Sequence, residues 1–183
     1  MNFRINNQPN NLYFVTSKIS GGKKIFLDPE CTWIILNSWK FLRKKGRIKL
    51  YSFTIMPNHV HFIMKPGKKW TALQICFDFE KFTAHEILGK LRKKKEEGLI
   101  KYFENKAKDT KDRKHKIWQD IQAKNIESEE FLIQKIEYIH SNANRKGWNL
   151  VKDRADYQYS SACYYDKGIE PIIEIDDLND ILN

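Results

Sequence analysis

The 183-residue chain lacks the long apolar run of a membrane-spanning helix and the apolar core of a signal peptide. No window approaches about 18 consecutive apolar residues, and the N-terminal segment MNFRINNQPNN is polar. Cysteine is scarce: Cys31, Cys76 and Cys163 are far apart, odd in number and in hydrophobic surroundings, which supports neither a disulfide framework nor a zinc cluster. These absences predict a soluble, unexported protein in a reducing cytoplasm.

Acidic residues are also in short supply. The chain has 33 Lys and Arg against 23 Asp and Glu, which gives a net charge of +10. Such an excess favours a polyanionic partner, because neutralising phosphates releases counterions, although a soluble basic protein without such a partner has the same total. The charge is clustered, with five basic residues in six positions, and a cationic helix end explains only part of this. We therefore predict nucleic-acid contacts at Lys90, Arg92, Lys93, Lys94 and Lys95.

The order of local sequence signals predicts strand, helix, strand, strand, helix, strand, helix. This order suits an antiparallel sheet with helices packed on one face, so the predicted fold class is α+β of the ferredoxin-like type. The predicted strands are Leu12–Lys18, Arg47–Met56, a histidine-bearing strand ending at Pro66, and Ile117–Ile126, and the predicted helices run from Asp28 to Gly46, from Thr71 to about Lys95, and from Ser128 towards Gly147.

No internal repeat or second domain is visible, so residues 1–183 are predicted to form a single domain. Within it we expect a flexible lead-in over 1–11, a core over 12–165 and a C-terminal tail over 166–183. The highly charged stretch Lys101–Lys116 has no clear period and is predicted to be a surface loop. We expect most of the five tryptophans in the core, together with Leu73, Phe77, Ile87, Leu88 and Leu91 of the second helix.

Two histidines stand one residue apart in the stretch YSFTIMPNHVHFIMKP, residues 51–66. In a strand, side chains at i and i+2 leave the same face about 7 Å apart, so His59 and His61 can converge on one ion. Val60 and Phe62 then point the other way, into a core. The alternative is a pair of solvated histidines at a sheet edge, and the spacing alone does not decide between the two.

The last predicted helix carries a second candidate group. A buried stripe is formed by Leu132, Ile136, Ile139 and Ala143, and a polar stripe beside it contains Gln134, Tyr138, Asn142 and Arg145. Tyr138 and Asn142 are i and i+4 and stand about 6 Å apart on one side. An isolated tyrosine is most often an ordinary boundary residue with its hydroxyl in water. The two candidates form one site only if this helix lies across the histidine strand.

These two segments resemble the single-tyrosine HUH transposases, and most closely the REP-associated tyrosine transposases. The resemblance rests on Met56-Pro57-Asn58-His59-Val60-His61 and on Tyr138-Ile139-His140-Ser141-Asn142. It is supported in the family's order, from Leu12 to Tyr165, by Val15-Thr16, Ile25-Phe26, Trp118-Gln119 and Tyr157-Gln158-Tyr159-Ser160-Ser161.

The resemblance implies the HUH endonuclease fold and a role for each matching residue. His59 and His61 match the metal-ligand pair, Tyr138 matches the nucleophile, and Asn142 matches the polar residue that completes the metal site. The family usually has Asn-Pro at the end of this helix, whereas this chain has Asn142-Ala143. Alanine allows the helix to continue past Asn142, which leaves open where the helix ends.

The implied activity is metal-dependent nicking and rejoining of single-stranded DNA through a 5′-phosphotyrosine, as in DNA transposition. Mg²⁺ or Mn²⁺ suits two imidazoles and an amide oxygen, and Mn²⁺ is better matched to nitrogen ligands. The implied partner is single-stranded DNA with a hairpin, REP-like or at an element end, and the implied location is the bacterial cytoplasm, at the nucleoid. Arg145 and the Lys90–Lys95 run are expected to contact phosphates, and aromatic residues to stack on unpaired bases. Whether the protein is a monomer or a homodimer stays open.

Two neighbours of Tyr138 on the helix are candidates for assisting it. Lys135, one turn earlier, is hypothesised to favour the phenolate. His140 projects about 200° around the helix from Tyr138, so we exclude it as a base and expect a surface or packing residue.

Three rival functions fit parts of the sequence. A relaxase or replication-initiator nickase shares the chemistry but usually belongs to a larger protein. A domesticated, non-cleaving hairpin DNA- or RNA-binding protein would keep the fold without the reaction. A structural metal protein fits poorly, because two histidines and an amide make a poor closed zinc site.

Overall fold

The computed structural model describes residues 11–108 and 114–179. Most of the predicted lead-in and residues 109–113 of the predicted loop lie outside these ranges. Over the described residues, no helix combines the length and the apolar character needed to span a membrane. The strands are β1 (Leu12–Ile19), β2 (Ile48–Met56), β3 (His59–Pro66) and β4 (Trp118–Ile126), and the helices are α1 (Pro29–Lys44), α2 (Ala72–Lys93), α3 (Glu97–Ala107), α4 (Glu129–His140) and α5 (Ala162–Lys167).

The four strands form one antiparallel sheet in the order β2-β3-β1-β4. This is the strand order of the ferredoxin-like fold, so the predicted fold class is confirmed. Side chains alternate between faces along a strand. Accordingly, Tyr13 and Val15 of β1 join the main core under α1 and α2, whereas Phe14 joins a smaller cluster under α4. The last helix therefore lies on the opposite face from α1 and α2, and the prediction that the helices pack on one face is wrong for α4.

Helices α1 and α2 begin where the sequence predicts. The Asp28 carboxylate accepts a hydrogen bond from the Glu30 N–H, and Pro29 occupies the first turn. Thr71 and Gln74 form a capping box at the start of α2. The helices pack on the sheet around Trp39, which is fully buried. Its ring contacts the rings of Phe53, Phe62 and Phe79 at centroid distances of 5.4, 5.2 and 6.1 Å.

The predicted buried face of α2 is partly wrong. Ile87 and Leu91 are buried as predicted, but Leu73 and Phe77 are 38% and 44% exposed. A stripe of buried residues at i+4 spacing replaces them, because Ile75, Phe79 and Thr83 are in phase with Ile87 and Leu91, and Leu73 and Phe77 are not.

The expectation that most tryptophans lie in the core is also wrong. Only Trp39 and Trp118 are buried, Trp33 and Trp70 are 39% and 38% exposed, and Trp148 is half-buried.

Much of the predicted loop Lys101–Lys116 is helical. α3 occupies Glu97–Ala107 and buries Phe103 and Ala107, which are one turn apart. Leu99, Ile100 and Tyr102 are partly buried and also pack against the main core, while exposed charged side chains conceal the helical period in the sequence.

The segment after α4 covers the outer edge of β2. Thr54 pairs with Ser160 in an isolated bridge, and the Ile55 N–H donates to the Tyr159 carbonyl. The hydroxyls of Tyr157 and Tyr165 donate to the carbonyls of Ile55 and Tyr51 at 2.8 and 2.7 Å. This tyrosine-rich segment is therefore structural, because it satisfies backbone groups at what would otherwise be an open edge.

We expect alkaline pH to destabilise the protein through these two tyrosines. Burial raises the pKa of Tyr157 to about 12 and raises that of Tyr165 as well. A phenol in the unfolded chain titrates near pH 10, so above that pH only the unfolded state loses these protons readily. The free energy of unfolding should then fall with rising pH by about 1.4 kcal/mol per pH unit for each tyrosine, up to its folded pKa.

Urea unfolding from about pH 8 to about pH 11 measures this effect. Tyr157→Phe should make the alkaline slope shallower by the contribution of one tyrosine. A urea midpoint that stays constant over the whole range would contradict the prediction.

Candidate active site

The C-terminal half of α4 lies across the histidine strand, so the two candidate groups do meet. The Tyr138 ring is 5.1 Å from the His61 ring, and the His59 and His61 rings are 4.8 Å apart, between centroids. The odd-numbered residues of β3 face α4, while Val60 and Phe62 are buried on the other face, as predicted. The structure therefore brings His59, His61 and Tyr138 together from segments about eighty residues apart in the chain.

Both imidazoles are oriented through their Nδ1 atoms. His59 Nδ1 lies 2.6 Å from the Asn58 side-chain oxygen, and His61 Nδ1 lies 2.7 Å from Thr16 Oγ1. An amide oxygen only accepts, so His59 carries its proton on Nδ1 and a lone pair on Nε2. His61 Nε2 is buried without a hydrogen-bond partner among the described residues. A polar neighbour that orients the second ring nitrogen is typical of metal-ligating histidines.

Both histidines are neutral at physiological pH. Burial lowers the pKa of His59 to about 4, with a smaller contribution from Lys18. Burial also places the pKa of His61 well below its ordinary value, and His59 and nearby cations add to the effect. Each ring therefore keeps a lone pair on one nitrogen at pH 7, which is the form that binds a metal ion.

Helix α4 ends at His140 and does not continue towards Gly147 as predicted. Asn142 lies just beyond the end and is 4% exposed. Its side-chain nitrogen donates to the Tyr138 carbonyl at 2.5 Å and to the Ile139 carbonyl at 3.4 Å. These bonds satisfy carbonyls that the helix end leaves without partners. Because both bonds use the amide nitrogen, the amide oxygen is the atom left for another partner.

Two cations flank the Tyr138 ring. The Arg145 guanidinium carbon is 4.8 Å from the ring centroid, and Lys135 Nζ is 5.5 Å from it. The Phe14 ring meets the same ring edge-on at 5.8 Å. Burial lowers the pKa of Lys135, and Lys124 lowers it further. The ring is thus held by cation–π and aromatic contacts in a strongly positive environment.

These residues line a cleft of about 620 Å³. No carboxylate lines it among the residues that the structure describes. A cleft with cations alone attracts polyanions and raises their local concentration. Its basic residues are Lys18, Lys124, Lys135, Arg145 and Lys146, and its other polar or aromatic residues include Thr16, Asn58, Gln119, Gln122 and Trp148.

Several of these residues were not predicted as site residues. Thr16, Asn58 and Gln119 lie within the motifs that carry the family resemblance, so the sequence contained a signal for them. Single exposed lysines such as Lys18 and Lys124 gave none, because strand register alone places Lys18 opposite His59 and Lys124 opposite Phe14.

The predicted basic run at the end of α2 does not line the cleft. Lys90 pairs with Glu30, and Lys94 pairs with both Glu30 and Asp28. Asp28 and Glu30 closely follow Phe26, whose N–H donates to the Pro57 carbonyl in the turn before His59. The basic run is therefore at the same end of the sheet as that turn. The basic run lies on the face of the sheet away from the cleft. Its contact with nucleic acid stays a prediction. Arg145, by contrast, lines the cleft.

His140 is a packing residue, in agreement with its exclusion as a base. It is 1% exposed, and Nε2 lies 2.9 Å from Ser161 Oγ and 3.1 Å from Ser52 Oγ. Burial lowers its pKa to about 4. It fastens the end of α4 to β2 and to the segment that covers β2.

The described residues contain no group of three or more His, Cys, Asp or Glu side chains arranged to hold a metal ion.

Comparison with protein-family models gives no match, and comparison with curated protein sequences gives none either. The structure of a REP-associated tyrosine transposase bound to a REP hairpin does match. It has a TM-score of 0.65 and 16% sequence identity, and the match covers 97% of this chain and 92% of that one. At this identity the match shows a common fold, which confirms the fold that the resemblance implied. A candidate transposase from Deinococcus radiodurans R1 matches with a TM-score of 0.46 and 11% identity, over 76% of this chain and 95% of that one.

Proposed function

We propose that the protein is a metal-dependent single-stranded DNA endonuclease and strand transferase of DNA transposition that acts through a 5′-phosphotyrosine intermediate. One observation carries the proposal: the ring centroid of Tyr138 lies 5.1 Å from that of His61, a buried histidine whose Nε2 has no partner among the described residues. Leaving such a group unsatisfied costs about 1–3 kcal/mol. His140 Nδ1 is also buried without a partner, but of these two histidines only His61 lines the cationic cleft beside Tyr138, and this position favours a ligand.

The proposed substrate is single-stranded DNA beside a hairpin. The structure with the common fold is of a REP-associated tyrosine transposase bound to a REP hairpin. The cleft of this chain supports the same class of ligand, because its described lining has five basic residues and no acidic one. A phosphodiester chain supplies the negative charge that this cleft lacks.

The residues present fit a divalent ion. His59 and His61 would hold it through Nε2 and Asn142 through its amide oxygen, with Mn²⁺ or Mg²⁺ as the proposed ion. When bound, such an ion supplies Lewis-acid polarisation of the scissile phosphodiester. Asn58 fixes the His59 tautomer that has its lone pair on Nε2, and Thr16 orients the His61 ring.

The remaining steps use the chain's own residues. The Tyr138 hydroxyl oxygen bonds to the phosphorus, the bond from phosphorus to the 3′-oxygen breaks, the phenol loses its proton, and the leaving 3′-oxygen gains one. A second 3′-hydroxyl then attacks the phosphotyrosine and restores the phenol. Each step exchanges one phosphate ester for another, so rejoining requires no ATP. Arg145 and Lys135 hold the Tyr138 ring during these exchanges.

Lys135 is proposed to favour the developing phenolate by its charge. Lys135→Met should slow adduct formation about tenfold, since a cation near the protein surface at this distance contributes roughly 1 kcal/mol or more. Lys135→Arg should restore most of the rate, because it returns the charge. Single-turnover rates measure both effects, and Lys101→Met, at an exposed position of α3, is the control. If Arg and Met at position 135 reduce the rate equally, the effect is steric and the hypothesis fails.

A covalent-adduct assay tests the proposed function. The protein is incubated with Mn²⁺ or Mg²⁺ and labelled hairpin-bearing single-stranded oligonucleotides, and the protein–DNA adduct is resolved under denaturing conditions. An adduct that requires the metal and releases a free 3′-hydroxyl supports the proposal. Tight hairpin binding without an adduct would instead support the non-cleaving binding protein.

A further inference from the structure

Trp148 lines the cleft beside His59. Its ring centroid is 5.9 Å from that of His59, and both rings line the cleft. The turn after α4 presents it: the Trp148 N–H donates to the Arg145 carbonyl, and the Leu150 N–H donates to the Ala143 carbonyl. The position of the ring is therefore set by the same backbone that places Arg145 and Asn142.

Trp148 does not serve the hydrophobic core. Trp39 and Trp118 are buried in the main cluster, whereas Trp148 is half-buried and belongs to neither hydrophobic cluster of the described residues. Partial exposure of a large aromatic ring in a polar, cationic cleft is unfavourable, and the ring contributes little to folding at that position. Its placement is better explained by a ligand with an apolar face.

A cation accompanies the ring. Lys24 Nζ lies 5.6 Å from the Trp148 ring centroid, and this lysine side chain is exposed. Lys146, two residues before Trp148, lines the same cleft. An aromatic face with lysines beside it matches the chemistry of a nucleotide, since the ring stacks on the base while the lysines meet its phosphate.

We infer that Trp148 is the stacking platform for the unpaired base next to the scissile phosphodiester. This inference rests on the proposed function and adds a base-binding subsite to the same cleft. The ring lies beside His59, so a nucleotide whose phosphate is held at the histidines has its base, or that of its neighbour, within reach of Trp148. Bases in a duplex have both faces covered by their neighbours, so the subsite selects single strands. Every base has a π-face, so the subsite is tolerant of sequence.

Abasic substrates test the inference directly. After the cleavage position is mapped from the adduct, oligonucleotides are made with an abasic site on either side of it. With the wild-type protein, one of the two abasic substrates should bind roughly tenfold or more weakly than the intact one. Trp148→Leu should weaken the intact substrate by a similar factor and show no further loss with that abasic substrate. Trp148→Phe should keep part of the affinity, because phenylalanine still stacks.

The matched control is Trp33→Leu. Trp33 is 39% exposed and has Lys40 Nζ 5.3 Å from its ring, but it lies on α1, on the other face of the sheet. This variant should bind and react like the wild type. If Trp148→Leu weakens intact and abasic substrates by the same factor, Trp148 acts through His59 and the inference is overturned.

Measuring equilibrium binding and adduct formation side by side separates this inference from the proposed function. If no adduct forms with any metal, the proposed function is wrong. The role of Trp148 can still be decided, by comparing the binding of oligonucleotides that have an abasic site at either nucleotide beside the hairpin. A normal adduct with no coupling between Trp148 and any abasic position defeats the stacking subsite alone.

Discussion

Tyr138→Phe is expected to abolish the covalent protein–DNA adduct, with a rate at least about a thousandfold below that of the wild type, because it removes only the attacking oxygen. The phenylalanine ring keeps the contacts with His61, Phe14 and Arg145. Affinity for a hairpin-bearing oligonucleotide should therefore stay within a few-fold, and the free energy of unfolding within about 0.5 kcal/mol. Denaturing gels, fluorescence anisotropy and urea unfolding measure the three quantities.

Tyr102→Phe is the matched control for this variant. Tyr102 is also half-buried with two cations over its ring, Lys23 at 4.4 Å and Lys106 at 5.6 Å, but it lies on α3, outside the lining of the cleft. Its variant should form the adduct at the wild-type rate. An adduct with Tyr138→Phe would show that another residue is the nucleophile, and the proposed role of Tyr138 would be wrong.

His61→Leu is expected to separate activity from stability. Adduct formation should fall at least about a hundredfold, since the metal site loses one of three ligands. The fold should be as stable as the wild type or more stable by about 1 kcal/mol, because the variant removes a buried nitrogen without a partner. Loss of the Thr16 contact offsets part of this gain, although Thr16 is only partly buried and can bond to water.

Mn²⁺ binding, measured by electron paramagnetic resonance, checks the same variant without relying on turnover. The wild-type protein should bind Mn²⁺ more tightly in the presence of a single-stranded oligonucleotide, because the phosphodiester brings negative charge to a cleft whose described lining is cationic. His61→Leu should lose this DNA-linked binding. The prediction is contradicted if the variant keeps both the adduct and the Mn²⁺ signal, or if it unfolds.

Helix α4 packs on the sheet through a small hydrophobic cluster that includes Leu132, Ile136 and Ile139, and polar anchors add to this packing. Arg154 bridges Glu137 on α4 and Asp166 on α5, and its hydrogen bonds raise its pKa. His140 adds a buried link to Ser52 and Ser161. The segment that closes the edge of β2 therefore also fixes the helix that carries Tyr138. In this arrangement the histidines and the tyrosine come from one chain.

Strand and helix starts were the most predictable part of this protein. Asp28, Thr71 and Ser128 cap the three helices that the sequence predicts to begin there, because a capping side chain bonds to a backbone N–H within its own turn. The end of α4 was not predictable in the same way. Ala143 allows the helix to continue, and it stops at His140, just before the side chain of Asn142 turns back on the last carbonyls.

The sequence by itself determined the chemistry available to this protein: two histidines on one face of a strand, a tyrosine and an amide one turn apart, and an excess of positive charge. These are properties of spacing within one element and of composition. Only the tertiary structure decided that α4 crosses the face bearing His59 and His61 and that Lys18, Lys124 and Trp148 line the cleft beside that face. It also decided that Lys90 and Lys94 pair with residues at the start of α1. The reason is physical: which face a helix covers, and which lysines become neighbours, depends on sheet order and register between strands distant in the chain.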